Sequence, residues 1–480
     1  MPAGTTVNDR PGAFELSDVF LISYAEGAEG NPKRLNIRNL ITEFNIYEKL
    51  NGDFLSGDMV ITDATNVIQE LPLTGFERIE FYFRSPKTTN GYNFSVLNGH
   101  PMFVYNLKNR QAASLNTQIY QLKFISLEGI RDHQTRISQA FKGTIDQMIA
   151  DICFNHLNTK KDVLIEETKG AHKLVMPRIK PTRAIEMLKK NARSKHFENS
   201  GFVFYENANG FNFKSYEGLF CKKDGSPREP KAHYAVKVKN IMRKEDDGKQ
   251  VYDLQAVDSW KILNQYNTLK NTADGVYASR LITHDLFQKT FEEVDFNYYK
   301  EYTKQNHLEQ DSDGGKRSFN GVLPFFNYDK GETFADKHEG ALHYQSETTK
   351  SHNDYEFPVS KDILQKRVSQ TQALNSLTIE ITVPGITEIR TGDIVTFTLP
   401  NYRKTPEEDI EAKDIYISGR YLINAARHHV SAINKRHTMV LELIKDSFNE
   451  VYPGETTDHF TNNENDKGLL YSASHLDEFV

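Results

Sequence analysis

The chain has 480 residues, 38% of them hydrophobic and 26% charged, and a formal net charge of −6. The length predicts about three domains rather than one core, and the weakly acidic balance argues against a dedicated DNA-binding protein, which would carry a basic stripe. No apolar run approaches the ~20 residues of a membrane span, and no N-terminal stretch has the form of a signal peptide.

Cysteine usage indicates where the protein is made. The chain has two cysteines, Cys153 and Cys221, too few for a disulfide framework, so we expect synthesis and assembly in a reducing compartment, a cytoplasm. We expect both side chains to be small buried hydrophobes rather than nucleophiles.

The first predicted domain, residues 1–135, is a β-barrel with an N-terminal arm. Residues 1–13 are polar and contain Gly and Pro, which is typical of a loose arm. Beyond them, apolar and polar residues alternate in several runs, for example at Ile79, Phe81 and Phe83. Such alternation is typical of strands with one buried face.

The pattern becomes helical near residue 138. Thr144 and Gln147 have the spacing of a capping box and predict a helix start. A second helix is predicted after Pro181, with an apolar stripe that faces the core. The stripe consists of Ala184, Ile185, Leu188 and Ala192.

An aromatic run, FVFYENANGFNFKSYEGL, follows these helices. Its two halves flank Asn209-Gly210, the strongest short signal for a β-hairpin. The helices and this hairpin together predict an α+β insert over residues 136–233.

Strands resume at Tyr234, and a further hairpin turn is predicted at Asp247-Gly248. Residues 361–375 predict a helix of mixed character that packs at the surface. From residue 377, alternating apolar residues predict a meander of antiparallel strands, closed or nearly closed into a small barrel. A β-sandwich or lectin-like domain is the alternative interpretation of the same pattern.

Two short segments of the chain are similar to each other, QIYQLKFIS at residues 118–126 and QVYDLQAVD at residues 250–258. One interpretation is a duplicated barrel, and the other is chance. The segments do not fall at the same place in their predicted domains.

The sequence predicts no catalytic, cofactor-binding or metal-binding residue. Asp311 and Asp313 resemble the start of a calcium loop, but Gly315 and Val322 stand where that loop needs ligands. No Gly-rich phosphate loop, nucleophile elbow or zinc-protease helix occurs, and nothing selects a catalytic pair among the many carboxylates. We therefore expect no cofactor and no enzymatic activity.

Three histidines lie near one another in the closing segment, His428, His429 and His437. The first two are adjacent on a predicted strand and point to opposite faces, so they are not expected to share one metal. All three are expected to be surface or packing residues.

Three separated stretches resemble the central baseplate hub proteins of contractile-tailed bacteriophages, which are related to the hub half of type VI secretion spike proteins. The first is residues 36–84 and the second is the aromatic hairpin. The third comprises the closing segments VPGITEIRTGDIVTFTLP, ISGRYLINAARHHV and HTMVLELIKDSF.

This resemblance implies that a tail-tube β-barrel occurs twice in one chain. The first is residues 1–135, and the second is discontinuous, joining residues 234–263 with 374–450. Residues 264–373 are then an elaboration, and residues 451–480 a flexible tail. The resemblance also implies a homotrimer whose six barrels match a tail tube of six-membered rings to a trimeric central spike.

The resemblance further implies a place in the tail baseplate of a virion that is assembled in the host cytoplasm. Its partners would be other copies of the chain, the first ring of the tail tube, the central spike, the tape measure and other baseplate proteins. DNA would only pass through the lumen, and no direct membrane anchor is implied.

Contacts are predicted by region only. The loop at residues 48–56 is expected to touch the next ring, the strand at residues 40–47 to lie at a seam between barrels, and the tail to reach the spike. The alternative function is a carbohydrate-binding or glycan-degrading tail protein with an aromatic-lined groove and paired carboxylates. The single tryptophan, Trp260, counts against that alternative.

Overall fold

The computed structural model describes most of the chain and is mainly β, as predicted. The described residues are 11–23, 32–71, 73–86, 88–197, 200–236, 242–244, 250–252, 255–285, 289–302, 304–309, 325–327, 332–347, 360–400, 413–414 and 416–447. Four predicted features therefore lie outside them: most of the N-terminal arm, the turn at Asp247-Gly248, the calcium-like loop at Asp311, and the tail at residues 451–480.

The first β region packs nine described strands and two helices around a buried aromatic core. The strands are β1 (Glu15–Leu16), β2 (Phe20–Ser23), β3 (Lys33–Asn36), β4 (Ile41–Lys49), β5 (Ser56–Asp63), β6 (Arg78–Arg84), β7 (Tyr92–Phe94), β8 (Met102–Ser114) and β9 (Thr117–Ser126), and the helices are α1 (Val67–Glu70) and α2 (Leu127–Gln134), with a 3₁₀ turn at Arg38–Leu40. The predicted inward residues Ile79, Phe81 and Phe83 are buried. The rings of Phe44 and Phe83 meet edge to face at 5.3 Å, a favourable arrangement for aromatic pairs.

The insert has its own core. Its elements are β10 (Ala140–Gly143), α3 (Ile145–Asp151) with a π-helical turn at Ile152–His156, β11 (Val163–Ile165), β12 (His172–Val175), α4 (Pro181–Asn191), β13 (Phe202–Asn207), β14 (Gly210–Ser215) and α5 (Tyr216–Phe220). The predicted helix start is confirmed, because α3 follows Thr144, whose N–H donates to Gln147 Oε1 at 3.4 Å. The predicted stripe of α4 is also confirmed, since all four of its residues are buried in this core.

The hairpin of the insert turns one residue earlier than predicted. Asn207 pairs with Gly210, so Ala208 and Asn209 form the loop and the glycine opens β14. Gly210 has φ +119°, and a Cβ there would lie 2.2 Å from the carbonyl oxygen of Asp162. The glycine is needed because the strand lies close to the segment at Asp162, rather than for the turn itself.

The second β region contains strands from two separated parts of the chain. Its strands are β15 (Ala232–Ala235), β18 (Ser259–Asn264), β24 (Leu377–Pro384), β25 (Ile394–Thr398), β26 (Gly419–Ser431) and β27 (Arg436–Lys445). The predicted alternation is confirmed at Ile379, Ile381 and Val383, which are all buried in its core.

The remaining elements lie between β15 and β24. They are β16 (Met242–Lys244), β17 (Gln250–Tyr252), α6 (Thr268–Ala273), β19 (Ala278–Asp285), β20 (Thr290–Asn297), α7 (Tyr298–Tyr302), β21 (Phe325–Asn327), β22 (Glu332–Thr333), β23 (Leu342–Glu347) and α8 (Ser360–Leu374), with 3₁₀ turns at Phe334–Asp336 and His338–Gly340. β19, β20 and β23 form a separate small sheet.

The helix predicted at residues 361–375 is confirmed as α8, but several of its residues are buried where the prediction placed it at the surface. Gln365 and Ser369 are 2% and 1% exposed. Gln365 Nε2 donates to the carbonyl oxygen of Ser279 at 2.9 Å, and Ser369 Oγ donates to that of Val276 at 2.7 Å. The polar residues of α8 therefore bind the main chain of the elaboration, which hydropathy cannot distinguish from solvent exposure.

The two β regions repeat one strand order. It is β4-β5-β9-β8-β6 in the first region and β18-β24-β27-β26-β25 in the second, and all neighbours are antiparallel. The strands also follow the chain in the same sequence, so each has a counterpart. The repeat ends there, because β2 is antiparallel to β6 whereas β15 is parallel to β25.

The two similar nonapeptides are not counterparts in this repeat. Residues 118–126 fall on β9, and residues 250–258 include β17. The counterpart of β9 is β27, so the nonapeptides do not support the duplication that the strand order indicates.

A single sheet of fifteen described strands runs through both β regions. Strand β26 joins them, because its residues 419–422 pair with β25 and its residues 425–431 pair with β4. Along this path the described strands do not close on themselves, so the two separate barrels remain a prediction.

Candidate assembly interface

The junction between β26 and β4 is the place where one β region continues into the other. Val430 of β26 faces Phe44 of β4, and both side chains are buried in the first core. Residues 40–47 were expected at a seam between barrels, and the strand they form lies at the junction of the two β regions of one chain.

A chain of buried polar groups crosses this junction. Tyr92 donates its hydroxyl hydrogen to Glu48 Oε1 at 2.8 Å, and its oxygen lies 2.9 Å from His428 Nε2. His428 Nδ1 lies 3.1 Å from His437 Nε2. If each imidazole donates through Nε2, every bond in this chain has one donor and one acceptor.

The electrostatics of the junction favour neutral histidines. Burial, with smaller contributions from His437 and Arg390, lowers the pKa of His428 well below its usual value. Burial lowers the pKa of His437 to about 3. Burial also raises the pKa of Glu48, against the opposing effects of Arg390 and the hydrogen bonds that the carboxylate accepts.

Glu48 also ties a third part of the chain to the junction. It accepts hydrogen bonds from the main-chain N–H of Thr391 at 3.0 Å and of Ala208 at 3.1 Å. Because Ala208 lies at the turn of the insert hairpin, one carboxylate contacts both β regions and the insert.

A buried lysine joins the insert to the first β region. Lys161 Nζ lies 2.6 Å from Glu128 Oε2 and 2.5 Å from Glu206 Oε1, and all three side chains are at most 2% exposed. Glu206 Oε2 also accepts from the main-chain N–H of Leu55 and from Ser126 Oγ. Two carboxylates share one ammonium here, so both depend on it for charge compensation.

A third buried cluster joins the elaboration to the second β region. His307 Nδ1 lies 2.9 Å from Asp446 Oδ2, and the interaction with Asp446 raises the pKa of His307 although burial opposes it. Lys445 Nζ lies 3.1 Å from Glu309 Oε1. The four parts of the chain are thus fixed to one another by buried, directional contacts.

The loop at residues 48–56, expected to touch a neighbouring ring, mostly packs within the chain. Leu50 and Leu55 are buried, Leu50 in a cluster with residues of the insert. The ring of Phe54 meets that of Phe211 edge to face at 6.2 Å. The loop therefore holds the insert against the first β region.

The three histidines of the closing segment, predicted to be surface or packing residues, differ in their burial. His428 and His437 are fully buried, whereas His429 lies on the opposite face of β26, with Nδ1 2.9 Å from Asn45 Oδ1. Across the described residues, no group of three His, Cys, Asp or Glu side chains is arranged to hold a metal ion. Both cysteines are buried, and neither forms a disulfide within the described residues.

Among the described strands, two edges have no partner at the places where the junction would repeat. Within the described part of the chain, residues 106–114 of β8 pair only with β9, and β18 pairs only with β24. Every residue from Lys108 to Ser114 is exposed. Trp260 and Ile262 of β18 are only partly buried against the second core, and Leu263 is 44% exposed.

None of the described helices is long and apolar enough to cross a membrane.

Comparison with known proteins identifies similar phage proteins. No protein-family model matches the chain. Among curated proteins, the chain is 23% identical over 437 residues to "Probable baseplate hub protein gp334" of Vibrio phage KVP40, covering 86% of this chain and 91% of that one.

One solved structure of a tail protein shares the fold, and a second is less similar. The tail protein from Neisseria meningitidis MC58 has a TM-score of 0.50 at 12% identity, covering 92% of this chain and 100% of that one. The 43 kDa tail protein of prophage MuSo2 from Shewanella oneidensis has a TM-score of 0.48 at 10% identity, covering 90% and 100%. The resemblance of the sequence to phage baseplate hub proteins is confirmed by the curated relative.

Proposed function

We propose that this chain is the structural hub of a contractile phage tail baseplate, a homotrimer that joins the six-fold tail tube to a trimeric central spike. The observation that carries the proposal is the five-strand order that occurs twice in one chain. Three copies of a chain with two such modules present six modules around one axis, so a trimer can match a six-membered ring.

The similarity to a baseplate hub protein over most of both chains supports the same role. The buried polar clusters support it physically, because a tube-bearing ring needs modules that keep a fixed relative orientation. Each cluster joins two or three parts of the chain. Removing one partner of a buried ion pair costs about 3–5 kcal/mol of folding stability.

The proposed role is structural and not enzymatic. The partners would be the first ring of the tube, the spike, the tape measure and other baseplate proteins, with DNA only passing through the lumen. The glycan-binding alternative is disfavoured because Trp260, the one tryptophan, packs partly against the second core instead of standing free as a stacking platform.

Size-exclusion chromatography with light scattering tests the proposal. At micromolar concentration we expect a species of three times the 55.1 kDa of one chain. An obligate interface of several thousand Å², about 2,000–5,000 Å² in total, would keep such a trimer intact on dilution. A stable monomer at this concentration would contradict the proposal.

A further inference from the structure

We infer that, in the oligomer, residues 106–114 of β8 pair antiparallel with β18 of a second copy of this chain. The pairing repeats between copies the junction that β26 and β4 make within one chain, because β8 is the counterpart of β26 and β18 is the counterpart of β4. The inference rests on the proposed trimer and identifies the strands that hold it together.

The first support is a shared irregularity in the two counterpart strands. The β26 ladder slips by one residue between Ile423 and Ala425, and the β8 ladder slips in the same way between Val104 and Asn106. In β26 this bulge is where the strand leaves β25 and begins to pair with β4. In β8 the bulge follows the last pair with β6, at Phe103, and the edge beyond it is open.

The second support is the burial of counterpart residues. Phe44 and Ile46 of β4, which pairs with β26, are 1% and 0% exposed. Their counterparts in β18, Trp260 and Ile262, are only partly buried. An open edge that carries apolar side chains is a ready template for pairing with another chain.

The register is counted along β9 and β27, because the β8 ladder has further shifts, between Lys108 and Gln111 and between Ala112 and Ser114, that the β26 ladder lacks. Val430 pairs with His437, which lies six residues before Leu443, the last residue of β27 to pair before the bulge. Ala112 pairs with Gln118, which lies six residues before Phe124, the counterpart of Leu443 in β9. Ala112 therefore corresponds to Val430. By the same count through β24 and β5, Trp260 corresponds to Phe44.

The inferred contact is chemically matched on both faces of the sheet. On the inward face, the pair Val430 and Phe44 corresponds to Ala112 and Trp260. Ala112 is smaller than Val430 and Trp260 is larger than Phe44, so the two pairs fill a similar volume. On the outward face, His429 and Asn45 face each other, and their counterparts are Gln111 and Lys261. The lysine can donate a hydrogen bond to the glutamine carbonyl across the interface.

Disulfide trapping in the full-length chain tests the register. Directly opposed residues of antiparallel strands have Cβ atoms about 4.5–5.5 Å apart, close to the distance a disulfide requires. We expect chains that carry Gln111→Cys and Lys261→Cys together to form covalent dimers and trimers on mild oxidation. Co-expression of the two single variants should give covalent dimers only, which shows that the bond joins different copies.

The matched control is the pair Gln111→Cys and Ser259→Cys, which is shifted by two residues along β18 and should cross-link at least tenfold more slowly. Light scattering on the reduced proteins separates the two hypotheses. A trimer that fails to cross-link at the matched pair, or that cross-links equally at the shifted pair, would overturn the inferred pairing and leave the proposed function standing. A monomer would overturn both.

Discussion

At the junction of the two β regions, His428 and His437 contact each other in a fully buried site. Burial holds the pKa of both below the ordinary value, so the folded state keeps them neutral. The unfolded chain protonates histidine below about pH 6.5. Between pH 6.5 and 3 the unfolded state therefore binds more protons, and folding stability is lost as the pH falls.

This difference predicts the pH response of one variant. When the pH falls from 6.5 to 5, folding stability decreases by about 2 kcal/mol for each histidine that stays neutral in the folded state. We expect His437→Gln to lose less stability than the wild type over this range, by about 2 kcal/mol, in urea denaturation at both pH values. Glu48 is present in both proteins, so the difference between them isolates the histidine. Equal losses in the two proteins would contradict the assignment.

The shared lysine of the insert makes a second prediction at this scale. Lys161→Met leaves Glu128 and Glu206 buried without their cation, and we expect a loss of about 3–5 kcal/mol of stability. The matched control is Lys195→Met, which breaks an exposed pair with Glu167 and should change stability little, because water screens an exposed ion pair. Similar unfolding midpoints for the two variants would show that the buried cluster is not a stabilising contact.

At the scale of single elements, the insert hairpin depends on one glycine. Gly210→Ala would place a Cβ against the carbonyl of Asp162, whereas Gly225→Ala adds a Cβ that meets no atom within 4 Å. Both residues have positive φ, so both changes incur backbone strain of about 1–2 kcal/mol. We expect Gly210→Ala to lower the thermal midpoint at least twice as much, and equal shifts would contradict the steric explanation.

The buried faces of elements with a regular apolar pattern were predicted from the sequence. The stripe of α4 and the alternation at Ile379, Ile381 and Val383 follow from local periodicity, because burial on one face repeats every 3.6 or 2 residues. Helix α8 was predicted as a helix, but the burial of Gln365 and Ser369 was not, because their main-chain acceptors lie far away in the sequence. A single sequence carries no sign of such partners.

The candidate interface was even less accessible from the sequence. His428 was correctly expected to be a packing residue, but its chain of contacts through Tyr92 to Glu48 joins three distant segments. The change of partner along β26 likewise depends on which strand lies beside it after the bulge. Hydrophobic patterning predicts that a strand has an inner face and does not predict which strands flank it.

At the scale of the whole molecule, the account depends on one chain that folds the same five-strand module twice and leaves two complementary edges open. Burying both edges between copies would remove exposed strand edges that otherwise favour aggregation. A cyclic arrangement pairs both of these edges in every copy, whereas an open row of copies always leaves one of each unpaired. Closure therefore favours a ring of defined size over a fibre.

Electron microscopy of the purified protein tests this claim most directly. The account predicts a ring of three chains in which six β modules alternate around a three-fold axis and β8 of each chain lies beside β18 of the next. Particles in which the two β regions of each chain occupy unrelated positions, with no approximate six-fold arrangement of modules, would contradict it.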